Sequence, residues 1–366
     1  MKLTLTREAL FKPLQVVSGV VERRQTLPIL SNVFISVQNN LLKLIATDLE
    51  VELVTETILM NSENGEVTVA ARKLMDICRA LPEGTLLDIS ENKGKVQLKA
   101  GKSRFSLSTL PADDFPKVQK LNETVTVTII ASVLKNMIDK TYFAMAQQDV
   151  RYYLNGVLFE IEGDRLRAVA TDGHRLSVCD GLVKTNSQPL LQAIIPRKGI
   201  LELQRLITDP NASITITLSV NHIRAEFEGL TYTSKLIDGK FPDYERVIPQ
   251  NTTKKIVAER AVLKDALHRA SILSNEKYRG VRLKVTQGNL IASTSNPELE
   301  EAEEHIEVDY NGDDFEIGFN VTYIIDALSA ISCDEIELLF TDGNSSCLIQ
   351  PRDTKDCRHV IMPMRL

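Results

Sequence analysis

The stretch Leu42-Lys-Leu-Ile-Ala-Thr-Asp48 occurs three times in this chain, with drift in identity but at constant spacing. It returns as Leu166-Arg-Ala-Val-Ala-Thr-Asp172 and as Leu290-Ile-Ala-Ser-Thr-Ser-Asn296, 124 residues further on each time. Ahead of each copy lies a second apolar stretch, Asn32-Val-Phe-Ile-Ser-Val37, Gly156-Val-Leu-Phe-Glu-Ile161 and Gly280-Val-Arg-Leu-Lys-Val285, again 124 residues apart. Short runs of β-branched and apolar residues predict strands. Self-similarity at a fixed period marks a repeated structural unit.

Two further registers agree. Ala71-Arg-Lys-Leu, Pro196-Arg-Lys-Gly and Phe319-Asn-Val-Thr align through 72, 197 and 320, and Leu110, Leu236 and Met362 align at steps of 126. Leu110-Pro-Ala-Asp-Asp-Phe-Pro116 is matched by Leu236-Ile-Asp-Gly-Lys-Phe-Pro242, and the third copy ends on Val360-Ile-Met-Pro-Met-Arg-Leu366. The reading is three domains, 1–124, 125–253 and 254–366, with the apolar ending as the last strand of the third. Each copy carries two helix-like segments. The first of each pair is Arg7–Val17, Ser132–Met145 and Glu259–Ala270; the second is Ala71–Ala80, Arg197–Ile207 and Val321–Ile331. Thr6 and Ser132 have N-cap chemistry, Pro13 is expected to kink its helix or delay its start, and Pro82-Glu-Gly84 and Asp209-Pro210 stop two others. The fold class is α+β: three repeated domains of antiparallel sheet plus two helices each.

Composition sets bounds. The chain has 366 residues, 43% hydrophobic and 25% charged, enough for two or three domains. No apolar run approaches the roughly 20 residues of a membrane span, and Met1-Lys-Leu-Thr-Leu-Thr-Arg-Glu8 lacks the apolar core of a secretory leader. The five cysteines, Cys78, Cys179, Cys333, Cys347 and Cys357, are scattered without a CxxC pair. Reduced thiols and a cytoplasmic location are expected.

The net charge of −6 argues against a surface basic all over, yet the charge is unevenly placed. The six helical segments hold 13 lysines and arginines against 7 acids, leaving the remainder of the chain at −12. One reading of this excess is chance together with ordinary solvated helix faces. The other is a phosphate-facing helical surface on an acidic body, whose contacts would be independent of base sequence and sensitive to salt.

Catalytic readings are weaker. Asp172-Gly-His174 with Ser177 has the residue types of a nucleophilic site but neither triad geometry nor an oxyanion-hole motif. Gly101-Lys-Ser103 resembles the end of a phosphate loop, but its required first glycine would fall at Val96. The five histidines are isolated, which gives no metal-ligand spacing, and no dinucleotide fingerprint is present. No enzyme activity, metal or cofactor is expected.

Five motifs, in order along the whole chain, resemble one family. Asp149-Val-Arg-Tyr-Tyr-Leu-Asn155, Ala170-Thr-Asp-Gly-His-Arg-Leu176, Phe241-Pro-Asp-Tyr244, Ser274-Asn-Glu-Lys-Tyr-Arg-Gly280 and Met362-Pro-Met-Arg365 are similar to the bacterial DNA polymerase III beta subunits, the sliding clamps. The resemblance implies the clamp fold, with three clamp domains per chain. It further implies a head-to-tail homodimer that closes a six-domain ring, helices facing the hole, and double-stranded DNA threaded through it. A clamp loader, the polymerase III catalytic subunit, other polymerases and repair proteins would bind the outside through short peptides.

Carried onto this sequence, the resemblance places the partner-peptide pocket at Leu154, Thr171, Gly173, His174, Arg175, Leu176, Pro242, Arg246, Val247, Val360, Met362, Pro363, Met364 and Arg365. Methionines suit a surface that grips several different peptides. It places the dimer interface at Lys73, Lys102, Arg104, Phe105 and Leu107 on one side. Ile272, Leu273, Glu298, Glu300, Glu301, Glu303 and Glu304 form the other. The opposite charges favour unlike edges meeting. Expected DNA contacts are Arg24, Gln148, Tyr152 and Tyr153, with Arg72, Lys73, Arg79, Arg197, Lys198 and Arg205 on the helices. The competing reading is an oligomeric peptide-binding scaffold that does not encircle DNA.

Overall fold

The structure is a computed structural model describing residues 1–21, 27–116, 125–184 and 190–365. The expected DNA contact Arg24 lies outside the described residues, as does Leu366. The first repeat contains β1 (Lys2–Thr6), α1 (Arg7–Val17), β2 (Asn32–Gln38), β3 (Leu41–Thr47), β4 (Val51–Ile58), β5 (Ser62–Glu63), β6 (Gly65–Ala70), α2 (Ala71–Ala80), β7 (Leu86–Asn92), β8 (Lys95–Ala100) and β9 (Ser103–Leu110). The second contains β10 (Val125–Ile130), α3 (Ala131–Asp139), β11 (Gly156–Glu162), β12 (Arg165–Thr171), β13 (Arg175–Leu182), β14 (Leu191–Pro196), α4 (Arg197–Leu206), β15 (Ser213–Leu218), β16 (His222–Phe227) and β17 (Leu230–Lys235). The third contains β18 (Lys254–Glu259), α5 (Arg260–Ser271), β19 (Gly280–Thr286), β20 (Asn289–Ser295), β21 (Glu301–Glu307), β22 (Phe315–Asn320), α6 (Val321–Ala330), β23 (Glu335–Phe340), β24 (Cys347–Pro351) and β25 (Cys357–Ile361).

Each repeat builds two four-stranded antiparallel groups, with the short β5 added beside β1 in the first, and neighbouring repeats share a sheet. The described residues form two compact units, Met1–Ser132 with Leu201–Leu236, and Val133–Ile200 with Ile237–Leu366. In the first unit one sheet runs β10-β15-β16-β17-β4-β3-β2-β6-β9-β8-β7-β1-β5, so pairing of β17 with β4 joins the second repeat to the first. In the second unit a sheet runs β14-β11-β12-β13-β25-β24-β23-β18, and pairing of β13 with β25 joins the second repeat to the third. A separate four-stranded sheet, β21-β20-β19-β22, completes the third repeat and ends on β21.

Repetition extends to single hydrogen bonds. The first helical N–H of α1, α3 and α5 is donated to the carbonyl just ahead of β7, β15 and β23: Arg7 to Thr85 at 2.8 Å, Ala131 to Ala212 at 2.8 Å, Arg260 to Asp334 at 2.7 Å. The hairpin turns repeat as well. Asp48 Oδ1 accepts from Val51 N at 2.7 Å, Asp172 Oδ1 from Arg175 N at 3.0 Å, and Asn296 Oδ1 from Glu300 N at 2.9 Å. Each turn needs one left-handed residue, supplied by Leu49 at φ 77°, Gly173 at φ 88° and Leu299 at φ 67°. The Thr-Asp pair at the end of the opening motif is therefore the closure of a hairpin, in which short polar side chains satisfy turn N–H groups.

Four expectations are corrected. Ser132 is not an N-cap: it lies inside α3, whose leading N–H groups are taken by the carbonyls of Ala212 and Pro210, so a side-chain cap is not required. The helix expected over Ser132–Met145 stops at Asp139 and resumes only as one 3-10 turn, Tyr142–Ala144, where the Thr141 hydroxyl bonds back to the Met137 carbonyl. The helix does not start late at Pro13: α1 runs through it from Arg7 to Val17, anchored by buried Leu10, Leu14 and Val17. Lastly, not all five cysteines are thiols: Cys179 and Cys357 are joined in a disulfide, while Cys78, Cys333 and Cys347 are free.

The helix charge excess survives the observed boundaries, since Lys140 and Glu259 both fall just outside. Its distribution changes. Arg7 donates through Nε to the Cys78 carbonyl at 2.7 Å and Arg260 to the Cys333 carbonyl at 2.7 Å, so each is spent on unsatisfied carbonyls near the end of the repeat's second helix.

Candidate functional site

In the second unit the end of the β12–β13 hairpin, the 149–154 loop, the segment around Phe241–Val247 and the C-terminal stretch enclose an apolar pocket of about 280 Å³. Its floor comes from strand alternation. Leu176 of β13 and Val360 of β25 are direct cross-strand partners, and both are buried with Val178, Phe241, Tyr244 and Leu348 in one apolar cluster. After Ile361 the chain leaves the sheet but stays pinned: Met362 N donates to the His174 carbonyl at 2.9 Å and Met364 N to the Gly318 carbonyl at 2.9 Å. Met362 is 39% exposed, an apolar side chain held at the rim.

Three polar clusters fix the wall. Arg175 donates to Asp172 Oδ2 at 3.1 Å, to Asp326 Oδ2 at 2.6 Å and to the Phe143 carbonyl at 2.7 Å, and its guanidinium stacks 4.5 Å from the Tyr323 ring centre. A planar fork with several fixed donors meets all of these at once, which an ammonium could not. Arg151 makes a bidentate pair with Asp149 at 3.0 and 2.9 Å. That hydrogen bonding holds the Asp149 carboxyl well below its usual range, at about 2. Tyr244 OH lies between buried Arg167 and Glu160, accepting from Arg167 Nη1 at 3.2 Å and donating to Glu160 Oε1 at 3.1 Å, so its ring cannot swing out of the wall. Burial raises the Tyr244 hydroxyl pKa, which keeps it a proton donor at neutral pH.

Of the expected pocket residues, Leu154, Thr171, Gly173, Arg175, Leu176, Pro242, Val247, Val360 and Met362 line this cavity. His174 sits beside it with its ring 6.5 Å from that of Tyr323, and Arg246 points to solvent in a 2.6 Å pair with Asp243. Pro363 follows Met362 in the pinned tail, while Met364 and Arg365 line a second, more polar cavity with Tyr278, Arg282 and Glu303. Three lining residues escaped the sequence reading: Arg151, Tyr244 and Tyr153, the last expected on DNA. A signal existed for two of them, the Asp149-x-Arg151 spacing of a local ion pair and the aromatic ending of Phe241-Pro-Asp-Tyr244.

The catalytic alternative fails on geometry. Ser177 Oγ bonds Nδ1 of His359, not His174, at 3.0 Å, and both partners are almost fully buried. Burial and the Lys140 charge push the His359 imidazole down to about 3, so it stays neutral. Asp172 is committed to its turn and to Arg175.

The expected DNA residues fall on the helices and one loop. Arg72, Lys73 and Arg79 are exposed on α2, with Arg79 3.4 Å from Asp76. On α4, Arg197 and Lys198 are half-buried and exposed Arg205 bonds Glu202 and, at 2.9 Å, the Val16 carbonyl. Gln148 is exposed with φ 55°, and Tyr152 is 57% exposed beside Val150 at 94%, which makes this loop protrude. Of the expected interface residues, Lys102 and Arg104 are exposed and Phe105 and Leu107 lie on the inner face of β9. Ile272 is 70% exposed just past α5, Leu273 is half-buried, and Glu298, Glu300, Glu301 and Glu303 are exposed. Glu304 is tied to Arg269 at 2.6 Å.

Comparison with known proteins accounts for the whole chain. Family descriptions of the DNA polymerase III beta subunit match in three consecutive parts, N-terminal domain at 1–119, central domain at 128–243 and C-terminal domain at 245–365. The chain belongs to the DNA polymerase III beta subunit family. It is 54% identical to the beta sliding clamp of Pseudomonas aeruginosa and 47% identical to that of Escherichia coli, with 100% of each chain covered in both cases. The crystal structure of the DNA polymerase III subunit beta of P. aeruginosa matches with a TM-score of 0.98 at 53% identity, covering 100% of both chains. A sliding clamp of the same species bound to griselimycin matches at 0.97 and 54%, also over the full length of both. Three consecutive domain matches accompany the three repeats read from Leu42–Asp48.

Proposed function

We propose that this chain is a DNA sliding clamp: two copies join head to tail into a ring that encircles duplex DNA and tethers polymerases to it. The observation that carries the reading is a pair of internal joins with matching unpaired edges. β4 of the first repeat pairs with β17 of the second, and β13 of the second pairs with β25 of the third. The next strand in that series is β21, and it has only β20 beside it among the described residues. The strand equivalent to β17 and β25 is β9, which meets β6 only at Leu110 and Thr109 and leaves 103–108 without a second neighbour among the described residues. Exposed edges of this kind seek partners. Unlike edges at the two ends of one chain close a ring when two copies meet.

Both internal joins carry over to one register for the missing third. Arg104 would lie opposite the partner's Glu303, and Phe105 opposite the partner's Ala302. Arg104 then meets an acidic edge on the outer face, while Phe105 reaches the apolar inner face near Ile272 and Leu273. Lys73, Lys102 and the remaining glutamates add charge of the right sign on each side. Within the ring, the basic side chains of α2 and α4 would face phosphates without reading bases. The pocket between Leu176 and Met362 would take short peptides from the polymerase III catalytic subunit, other polymerases, repair proteins and a clamp loader. Restraint by topology requires no bond-making, so the chain itself has no catalytic step. Work on chromosomal DNA would put it in the cytoplasm.

Charge exchange tests the join. Glu303→Arg should shift the sedimenting species toward monomer, and adding Arg104→Glu should restore the dimer. A Glu303→Arg protein that stays dimeric at low micromolar concentration would contradict this register.

A further inference from the structure

The pairing of Cys179 with Cys357 sits at the join between the second and third repeats. The two residues are direct partners in the β13–β25 ladder, with Cα atoms 4.2 Å apart and 178 residues of chain between them. They belong to a row on one face of the join. Ser177 and His359 come next, then Arg175 and Ile361. The other face of the same two strands carries Leu176 and Val360, the pocket floor, and Met362 is pinned just beyond. Whatever holds Cys179 against Cys357 therefore holds the floor in register.

Both cysteines are buried, and solvent lies nearest at one end of the pair. Cys357 is the first residue of β25 and follows 352–356, all exposed. The backbone bond that closes that end is Asp180 N to the Asp356 carbonyl, 2.8 Å. Opening the turn would bare the sulfurs without disturbing the pocket end of the strands. The three free cysteines offer no competing pair. Cys78 lies on α2, Cys347 stands opposite Ile361 across β24 and β25, and Cys333 lies between α6 and β23, so none of them faces another cysteine in a ladder.

We propose that Cys179 and Cys357 are a redox-responsive pair, oxidised by low-molecular-weight disulfides, whose bond fastens the join beneath the peptide pocket. One cysteine thiolate attacks the small disulfide, forming a mixed disulfide and releasing one small thiol. The second cysteine thiolate attacks the protein sulfur of that bond and releases the other small thiol. Two protein thiols are oxidised and one small disulfide is reduced, a two-electron exchange. In a reducing cytoplasm the thiol form prevails and the pocket is softer. Under oxidative stress the bond closes, and a long covalent loop also restricts the unfolded chain.

The coupling to peptide binding rests on the pocket reading above, and the test separates the two. The full-length protein is equilibrated in buffers of reduced and oxidised glutathione, quenched with maleimide in denaturant and weighed. Oxidation should remove two of the five thiols, give a Cys179–Cys357 cross-linked peptide on non-reducing digestion, and raise the melting temperature by several degrees. Labelled synthetic peptides tiled from the polymerase III catalytic subunit then report affinity, and the tightest should bind the oxidised form several-fold better. Cys357→Ala should abolish that difference. Five reactive thiols in oxidised buffer would overturn the pair, and equal affinity of the two forms would overturn the coupling. A protein that loses two thiols and melts higher, yet binds no peptide in either state, would refute the pocket reading and leave the redox pair standing.

Discussion

Arg175 shows how much of the pocket depends on one side chain. Its fork spans two carboxylates and a carbonyl while its flat face covers Tyr323. Arg175→Lys keeps the charge and loses the fork, so peptide affinity should fall with little change in the fold; unchanged affinity in an anisotropy titration would contradict the role. Arg175→Ala leaves Asp172 and Asp326 without their partner and should cost about 3 kcal/mol of stability. His359 makes a separate prediction about pH. The unfolded chain takes up this imidazole proton below about pH 6.5, and the folded chain resists until about 3. Between those values the unfolded state holds more protons, so stability falls as pH falls, by up to about 1.4 kcal/mol per unit. His359→Gln should flatten the slope between about pH 6 and pH 4.5, above the range where Asp149 contributes in the same direction. The measurement is unfolding free energy against pH for the two proteins.

At the scale of elements, the repeat was legible because strand hairpins keep their spacing when identities drift. Leu42–Asp48 and its two echoes mark β3, β12 and β20, and five of the six helices end within one residue of the segments read from breakers and spacing. What was illegible depends on partners distant in sequence. Ser132 looks like a cap, yet two backbone carbonyls from the 210–212 turn already serve that helix end. Cys179 and Cys357 carry no spacing signal, since only the β13–β25 join brings them together. Nine of fourteen pocket residues line one cavity because the motifs that carried them sit at strand ends. Tyr244 was missed because its role depends on buried Arg167 and Glu160.

Two predictions belong to this scale. Deleting residues 362–366 removes the rim but none of β25, so peptide binding should be lost while the dimer persists; normal peptide affinity in the truncated protein would rule out the tail as a wall. Replacing Arg72, Arg79 and Arg205 with glutamate should shorten the lifetime of the protein on DNA and spare peptide binding. Equal loss of both in the same preparation would mean that the two surfaces are not separate.

For the whole molecule the account makes topology, not affinity, the basis of attachment. An acidic body bears its positive excess on helices, and phosphate contacts of that kind weaken steeply with salt. A closed ring would remain on DNA when those contacts are screened, and an open scaffold would not. The most direct measurement loads the protein onto nicked circular plasmid with an active clamp loader, then gel-filters it in high salt before and after a single cut. The account predicts retention on circles and loss from linear DNA. Equal loss from both would contradict encirclement and favour a peptide-binding scaffold that never closes around the duplex.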